Sequence, residues 1–452
     1  MEDKRNLLIV LTHGLRSDAL GDERAWPLTT PHLEALGKRG LRLVAGSASP
    51  ADPGGQVSLL TGLHARQHGM LTDQEHGHSP ITLSDSVVHR LVDRGYHVAG
   101  VGCVGMVRDV LDEAVLTEDV TEVRPTDCSY YRQARASGVM AAVMQQRKQR
   151  LRCGPFEPDR LMLEPEEDID GFIAARAGEM IASMPTDKPW ALVVAFSGPG
   201  NDLPPPTLYE SIVSADHLDG GFAPLDMSTL DAMAEPSYPR SMLQRLEPHQ
   251  VARIRADYLG RVSLVDYAVR RMGQAVSQRP DRSRVWTILG SDRGHLLGEH
   301  GLIGHRSFMS GAVEVPMIVA PPEHHPQPRD PFPEALFSTV DFAPTIAALA
   351  GADMLDASVG RSLLPLFQGN AVTPLLPGGL VSEFGQRMML ETQRYKAVFH
   401  CGKRRCIALY DLLNDDEERD NQVARSAGQN VVDALRMRVA DALLPLRTCT
   451  VC

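Results

Sequence analysis

No apolar run in the sequence approaches the roughly 18 residues that a membrane-spanning helix requires, and stretches such as Leu7 to Leu11 are of strand length. A membrane role is not expected. A surplus of positive charge is also missing: 46 Lys and Arg stand against 57 Asp and Glu, a formal charge of −11, which repels phosphate backbones and anionic lipid. A nucleic-acid partner is therefore not expected either. Cysteine is scarce and odd in number, seven in 452 residues, so reduced thiols are the default rather than a disulfide framework. The chain passes from Met-Glu-Asp-Lys-Arg straight into Asn6 to Leu11, with no apolar leader and no small-residue cleavage site. The expected location is cytoplasmic.

What is present describes a globular chain. Apolar residues are 43 % and charged residues 23 %, and 38 Gly with 32 Pro supply many turns, which leaves room for one large α/β domain and a smaller companion. Strand-like runs at Leu7–Leu11, Leu41–Val44, His97–Val101, Trp190–Phe196, Val285–Leu289 and Val315–Val319 alternate with helical patterns at Pro31–Arg39, Ser84–Arg94, Asp168–Ser183, Pro248–Gln278 and Thr339–Ala350. That alternation predicts a large, mostly parallel central sheet flanked by helices over residues 1–368. Residues 198–247, rich in Pro, Gly, Ser and Asp, read as a long surface insertion. From 369 to 452 the pattern becomes four short strands, Gly379–Glu383, Arg387–Glu391, Tyr395–His400 and Ile407–Tyr410, and a helix from about Asn430 to Leu446, a small antiparallel α+β subdomain. The basic run Arg147 to Arg152 reads as a solvated helix face, and Glu166, Glu167 and Asp168 as an acidic helix start. Cys401, Cys406, Cys449 and Cys452 have zinc-site spacing if the chain end folds back, with plain thiols as the alternative.

The segments between strands carry a resemblance. Ser58-Leu-Leu-Thr-Gly-Leu-His-Ala-Arg-Gln-His-Gly, Gly290-Ser-Asp-Arg-Gly-His-Leu-Leu-Gly-Glu-His-Gly, Val340-Asp-Phe-Ala-Pro-Thr, Gly360-Arg-Ser-Leu-Leu-Pro-Leu and Leu409-Tyr-Asp-Leu-Leu-Asn-Asp follow the order found in sulfatases of the alkaline phosphatase superfamily, which the chain resembles from end to end. The resemblance implies a divalent cation held by hard oxygen ligands, an activated nucleophile and cationic groups for the sulfate oxygens. It also marks where this sequence departs. Two adjacent Asp are expected after the first strand, and His13-Gly14 stand there. The nucleophile, a Cys oxidised to formylglycine or a Ser, falls on Asp52, and the Arg of the same element falls on Gln56. A Gly-Lys-x-His loop aligns with Gly102-Cys103-Val104-Gly105, a Pro-His with Pro199-Gly200, and the Lys after Gly304 is His305. In the second metal loop Asp292 is kept and Arg293 follows it.

The expectation is a sulfatase-like protein with a vestigial pocket at Asp52, Gln56, Cys103, Gly200 and His305, no formylglycine and no required cofactor, acting by binding, scaffolding or regulation. Arg293 then stands in for the metal's charge beside Asp292 and Asp52. Protein partners or self-association are expected. Two alternatives stay open. His13, Asp52 and Asp292 are ligand types that suit zinc or another divalent cation, which would make the chain an ester hydrolase with a rebuilt site. Arg293, His305 and Arg306 would instead hold an anionic ligand without cleaving it.

Overall fold

Leu7, Ile9 and Leu11 enter one apolar cluster while Leu8 and Val10 enter another, because successive side chains of a strand point to opposite faces. Their strand, β1 (Asn6–His13), lies inside a seven-stranded sheet. The structure is a computed structural model, and it describes residues 4–21, 26–73, 86–103, 128–153, 163–220, 227–326, 328, 336–354, 357–368, 370 and 379–443. In chain order the strands that follow are β2 (Leu41–Gly46), β3 (His97–Gly102), β4 (Trp190–Pro199), β5 (Val285–Ser291), β6 (Leu296–Leu297), β7 (Ile303–Gly304), β8 (Glu314–Ala320) and β9 (Phe337–Ser338). The large sheet runs β3-β4-β1-β5-β8-β2-β9. Its pairings are parallel except where β8 meets β5 and β2.

Both faces are covered, as a mostly parallel sheet requires. On one side lie the helices Pro31–Arg39, Ile169–Ser183 and Pro248–Ser277, and on the other Gly54–Thr61, Val87–Asp93 and Phe342–Ala350. The first of these helices shows how local sequence sets its limits. Pro31 occupies the first turn, where its missing N–H costs nothing, and Lys38 and Arg39 sit where the helix dipole favours cations. The predicted start of the Ser84–Arg94 helix lies outside the described residues; Ser86 caps the described part by accepting from the His89 amide.

One expectation needs correction. Residues 198–247 are not merely a surface insertion: Val213, Ala232, Met233, Ala234 and Leu243 are buried in the main core, and Ala234 bridges to Ser307. Apolar residues scattered without period among turn formers hid this burial. Asp168, read as an acidic helix start, caps the Ile169–Ser183 helix and also pairs with the buried Arg261 at 2.7 Å. Lys148 in the basic run is exposed.

The C-terminal sheet is an antiparallel meander of β10 (Leu380–Phe384), β11 (Arg387–Glu391), β12 (Tyr395–His400) and β13 (Arg405–Asp411). Val432 and Leu435 of the Ser426–Leu443 helix cover one face, and Phe384, Met389, Val398 and Tyr410 on the other join the main core. Buried charges fasten this sheet to the helices around the large one. Arg66 Nε lies 2.7 Å from Glu383 Oε1, and the fully buried Lys396 contacts Glu418, lies 3.0 Å from Glu391 and donates to Ser310 Oγ at 2.9 Å. No described helix is long and apolar enough to cross a membrane.

Lys396→Met leaves Glu391 and Glu418 buried without their cation and is expected to lower stability by about 3–5 kcal/mol, measured by urea denaturation followed through tryptophan fluorescence. Adding Glu418→Gln should recover part of the loss, because it removes one of the stranded charges.

Candidate active site

Parallel pairing of β1 with β5 sets Thr12 opposite Ser291, so the next residues on each strand, His13 and Asp292, emerge side by side. Asp292 is completely buried. Its Oδ1 accepts from the Gly14 amide at 3.3 Å, and its Oδ2 lies 2.5 Å from His13 Nδ1 and 2.9 Å from Arg293 Nη1. Asp52 reaches the same place from the turn before the Gly54–Thr61 helix, with Oδ2 3.3 Å from His13 Nε2 and 3.4 Å from Arg293 Nη2. Arg293 Nη2 also contacts His13 Nε2, and Gln56 Nε2 stands 3.3 Å from His13 Nδ1.

Two glycines make this approach possible. A Cβ on Gly55 would lie 2.7 Å from the Asp292 carbonyl oxygen, so any larger residue would drive the helix off the β5 loop. Gly14 has a φ of +79°, and a Cβ there would lie 2.7 Å from Gly200 Cα, where the loops after β1 and β4 touch.

The charges balance: two carboxylates face one guanidinium and one imidazolium. Burial and the Arg293 charge push the His13 pKa down, but Asp292 and Asp52 outweigh them and raise it from 6.5 to about 9. Burial pushes the Asp52 and Asp292 carboxyls up, and the Arg293 and His13 charges more than reverse that, so both are held below the usual carboxylate range. His13, Asp52 and Asp292 are therefore ionised near neutrality.

A second tier surrounds them. Asp73 Oδ1 accepts from the Asp52 amide at 3.0 Å, while its Oδ2 lies 3.4 Å from both His305 Nε2 and Arg306 Nε. Burial and the Arg293 charge hold His305 at about 4, so it is neutral. Arg306 Nη2 also donates to the carbonyls of Pro236 and Ser237. On the other flank His295 Nε2 is 2.8 Å from Asp202 Oδ1, its ring is stacked on Tyr258, and its Nδ1 is buried without a partner.

His13, Asp52, Gln56, Asp292 and Arg293 thus converge directly, with Gly200 against Gly14 and with His305 and Arg306 joined through Asp73. Cys103 is not brought into the cluster by these contacts; it is buried in the main core, and its amide donates to Ala195 O at 2.7 Å. The residues that sequence reasoning missed are Asp73 and Asp202. Each lies in a loop outside the family's motifs, and no spacing distinguishes them from turn residues. His64 and His68 are packing residues, with His68 Nε2 3.0 Å from Ser58 Oγ and both rings held neutral by burial, at about 4 and about 3. Cys401 and Cys406 form no disulfide among the described residues; Cys401 Sγ accepts from Arg66 Nη2 at 2.8 Å and Cys406 Sγ donates to Ala408 O at 3.1 Å, and Cys449 and Cys452 lie outside the described residues.

A hard divalent cation needs several oxygen ligands and a place free of competing positive charge. The acceptors left unpartnered and buried here are Asp52 Oδ1 and Gln56 Oε1, while a guanidinium and an imidazolium lie between the two carboxylates. Among the described residues no group of three or more His, Cys, Asp and Glu is arranged to hold a metal ion. The donor set of these residues does not fit a hard divalent cation.

The raised His13 pKa sets a pH dependence. Below about pH 6.5 both folded and unfolded states bind the proton, and the stabilisation is complete. Between about 6.5 and 9 the unfolded chain releases the proton while the folded one keeps it, so stability falls by up to about 1.4 kcal/mol per pH unit and the contribution is gone above about 9. Urea midpoints measured across that range should fall for the wild type and fall less steeply for His13→Gln.

Comparison with known proteins agrees with this architecture. The profile of the family described as Sulfatase matches residues 5–352. The choline-sulfatase of Rhizobium meliloti is 23 % identical over 386 residues, covering 81 % of this chain and 72 % of its own length. An uncharacterized sulfatase, YidJ, of Escherichia coli is 22 % identical over 97 % of this chain and 86 % of its own. The crystal structure of the phosphonate monoester hydrolase of Agrobacterium radiobacter superposes with a TM-score of 0.79 at 20 % identity, covering 98 % of this chain and 96 % of that one. With the large mixed sheet, the four-stranded C-terminal sheet and the profile match over most of its length, the chain belongs to the sulfatase family.

Proposed function

We propose that this chain is a sulfatase-family protein in which an internal ion cluster replaces the metal and nucleophile centre, and that it acts by binding, scaffolding or regulation rather than by ester hydrolysis. The observation that carries the reading is the position of Arg293, paired with Asp292 at 2.9 Å and 3.4 Å from Asp52. A fixed guanidinium there neutralises the carboxylates that a cation would otherwise bind. Without a cation the developing charge on an ester oxygen lacks its main stabiliser, a loss of two or more orders of magnitude for each such group. A protein partner or a second copy, in the cytoplasm, is the rest of this reading.

A second reading is a divalent-metal hydrolase of sulfuric or phosphoric esters. It is favoured by the unpartnered oxygens of Asp52 and Gln56 and by the names of the relatives, a choline-sulfatase and a phosphonate monoester hydrolase.

Metal content separates the two. Mass spectrometry of undepleted protein should find no stoichiometric divalent metal in the wild type or in an Asp52→Ala, Asp292→Ala variant, and 4-nitrophenyl sulfate, phosphate and phenylphosphonate esters should not turn over. Near-stoichiometric metal lost in the variant, together with saturable hydrolysis, would establish the second reading. Arg293→Ala should lower stability by about 3 kcal/mol or more, since it strips a buried cation from two carboxylates. An unchanged urea midpoint would remove Arg293 from its assigned role.

A further inference from the structure

The turn that joins β12 to β13 runs against the negative charge of the chain. No Asp or Glu occurs between Glu391 and Asp411, and Lys403, Arg404 and Arg405 follow one another at the turn, all exposed to solvent. Strand register adds to them. Arg387 of β11 pairs with His400 of β12, and His400 with Arg405 of β13, and residues directly opposite one another share a face of the sheet. A row of basic side chains two strand spacings long, about 10 Å, therefore leads into the turn. Arg387 has an acidic partner, Glu235 at 3.0 Å, but among the described residues no carboxylate pairs with Lys403, Arg404 or Arg405.

Gathering like charges opposes folding, and their joint field is felt at His400, whose pKa is pushed down by burial and by the Lys403, Arg387 and Arg405 charges. The backbone carries a further cost. Arg404 has a φ of +48°, in the left-handed region that Gly or Asn occupies more readily. The turn is nevertheless held in place: Arg66 Nη2 donates to Cys401 Sγ and the Cys401 amide to Gln386 O, both at 2.8 Å, and the Arg404 amide donates to Cys401 O at 3.2 Å. An anion thus meets exposed guanidinium and ammonium groups on a backbone that needs no reordering. The row begins next to the second tier of the ion cluster, since Glu235, the partner of Arg387, donates its amide to Arg306 O at 2.9 Å.

We propose that this turn docks an acidic peptide segment of a protein partner, its carboxylates accepting from Lys403, Arg404 and Arg405. The proposal gives a partner class to the binding reading above and rests on it. The size of the patch selects the occupant. A nucleic-acid duplex or an anionic bilayer extends well beyond so short a row and brings its charge against a chain of net −11, whereas a short acidic segment meets the cations alone.

The test is fluorescence anisotropy of a labelled octaglutamate peptide titrated with the full chain. One saturable site that weakens as salt is added is expected. A Lys403→Gln, Arg405→Gln variant should weaken it about ten-fold by removing two charged contacts. Arg404→Gly, which suits the left-handed backbone, should weaken it about three-fold with the melting temperature unchanged. Lys148→Gln, an exposed change in the other basic run, should leave binding as it is. The proposal is overturned if the wild type shows no saturable site, if the double variant binds like the wild type, or if Lys148→Gln weakens binding as much. A sulfated oligosaccharide or an oligonucleotide of equal charge that binds more tightly than octaglutamate would likewise overturn it. Neither metal content nor ester turnover enters these readouts, so a failure here strikes the docking surface alone and the reading of the ion cluster is decided separately.

Discussion

A carboxylate with no exposure to water stands at the end of β5, and the local structure is organised around its compensation. Asp292 is 0 % exposed, and an ionised group in that position is tolerated only with opposite charge and hydrogen bonds around it. It receives the Gly14 amide, the His13 ring and the Arg293 guanidinium. Gly55 and Gly14 bring the neighbouring backbone close enough to seal the site. Once His13 and Arg293 are both charged, a second carboxylate is needed for neutrality, and Asp52 supplies it. Asp73 extends the same logic outward by holding the Asp52 amide and facing His305 and Arg306.

Buried ion pairs recur as joints throughout the molecule. Arg261 locks the start of the Ile169–Ser183 helix through Asp168 and Asp170, Arg361 holds Asp341 before the Phe342–Ala350 helix, and Arg66 through Glu383 and Lys396 through Ser310 tie the small sheet to the rest of the chain. Removing one partner of such a pair strands a charge, which makes these joints costly to break even where the pair itself adds little net stability. The ion cluster at the top of β1 and β5 is built in the same way. The charges that gather the carboxylates there, His13 and Arg293, are covalently part of the chain.

The fold was legible because its signals are local. β1, β4 and β5 are short continuous apolar runs, as strands buried on both faces must be, and the Pro31–Arg39 helix carries its own start and stop residues. The convergence of His13 and Asp292 was legible too, since one ends and the other directly follows an apolar strand. Asp73 and Asp202 were not, because a carboxylate in an irregular loop has no periodicity to betray its direction. The burial of Val213, Met233 and Leu243 was hidden for the same reason: their packing depends on where a non-periodic segment crosses the core.

The sequence by itself determined the elements and the family, because apolar periodicity and motif order are properties of neighbours along the chain. Only the tertiary structure decided how the substituted residues meet. Whether Arg293 turned toward solvent or toward Asp52 and Asp292, and whether His13 kept its proton, depended on charges brought together from residues 13, 52, 292 and 293. The physical reason is that electrostatic compensation acts through space over a few ångströms, while the chain that supplies the charges is separated by up to some 280 residues.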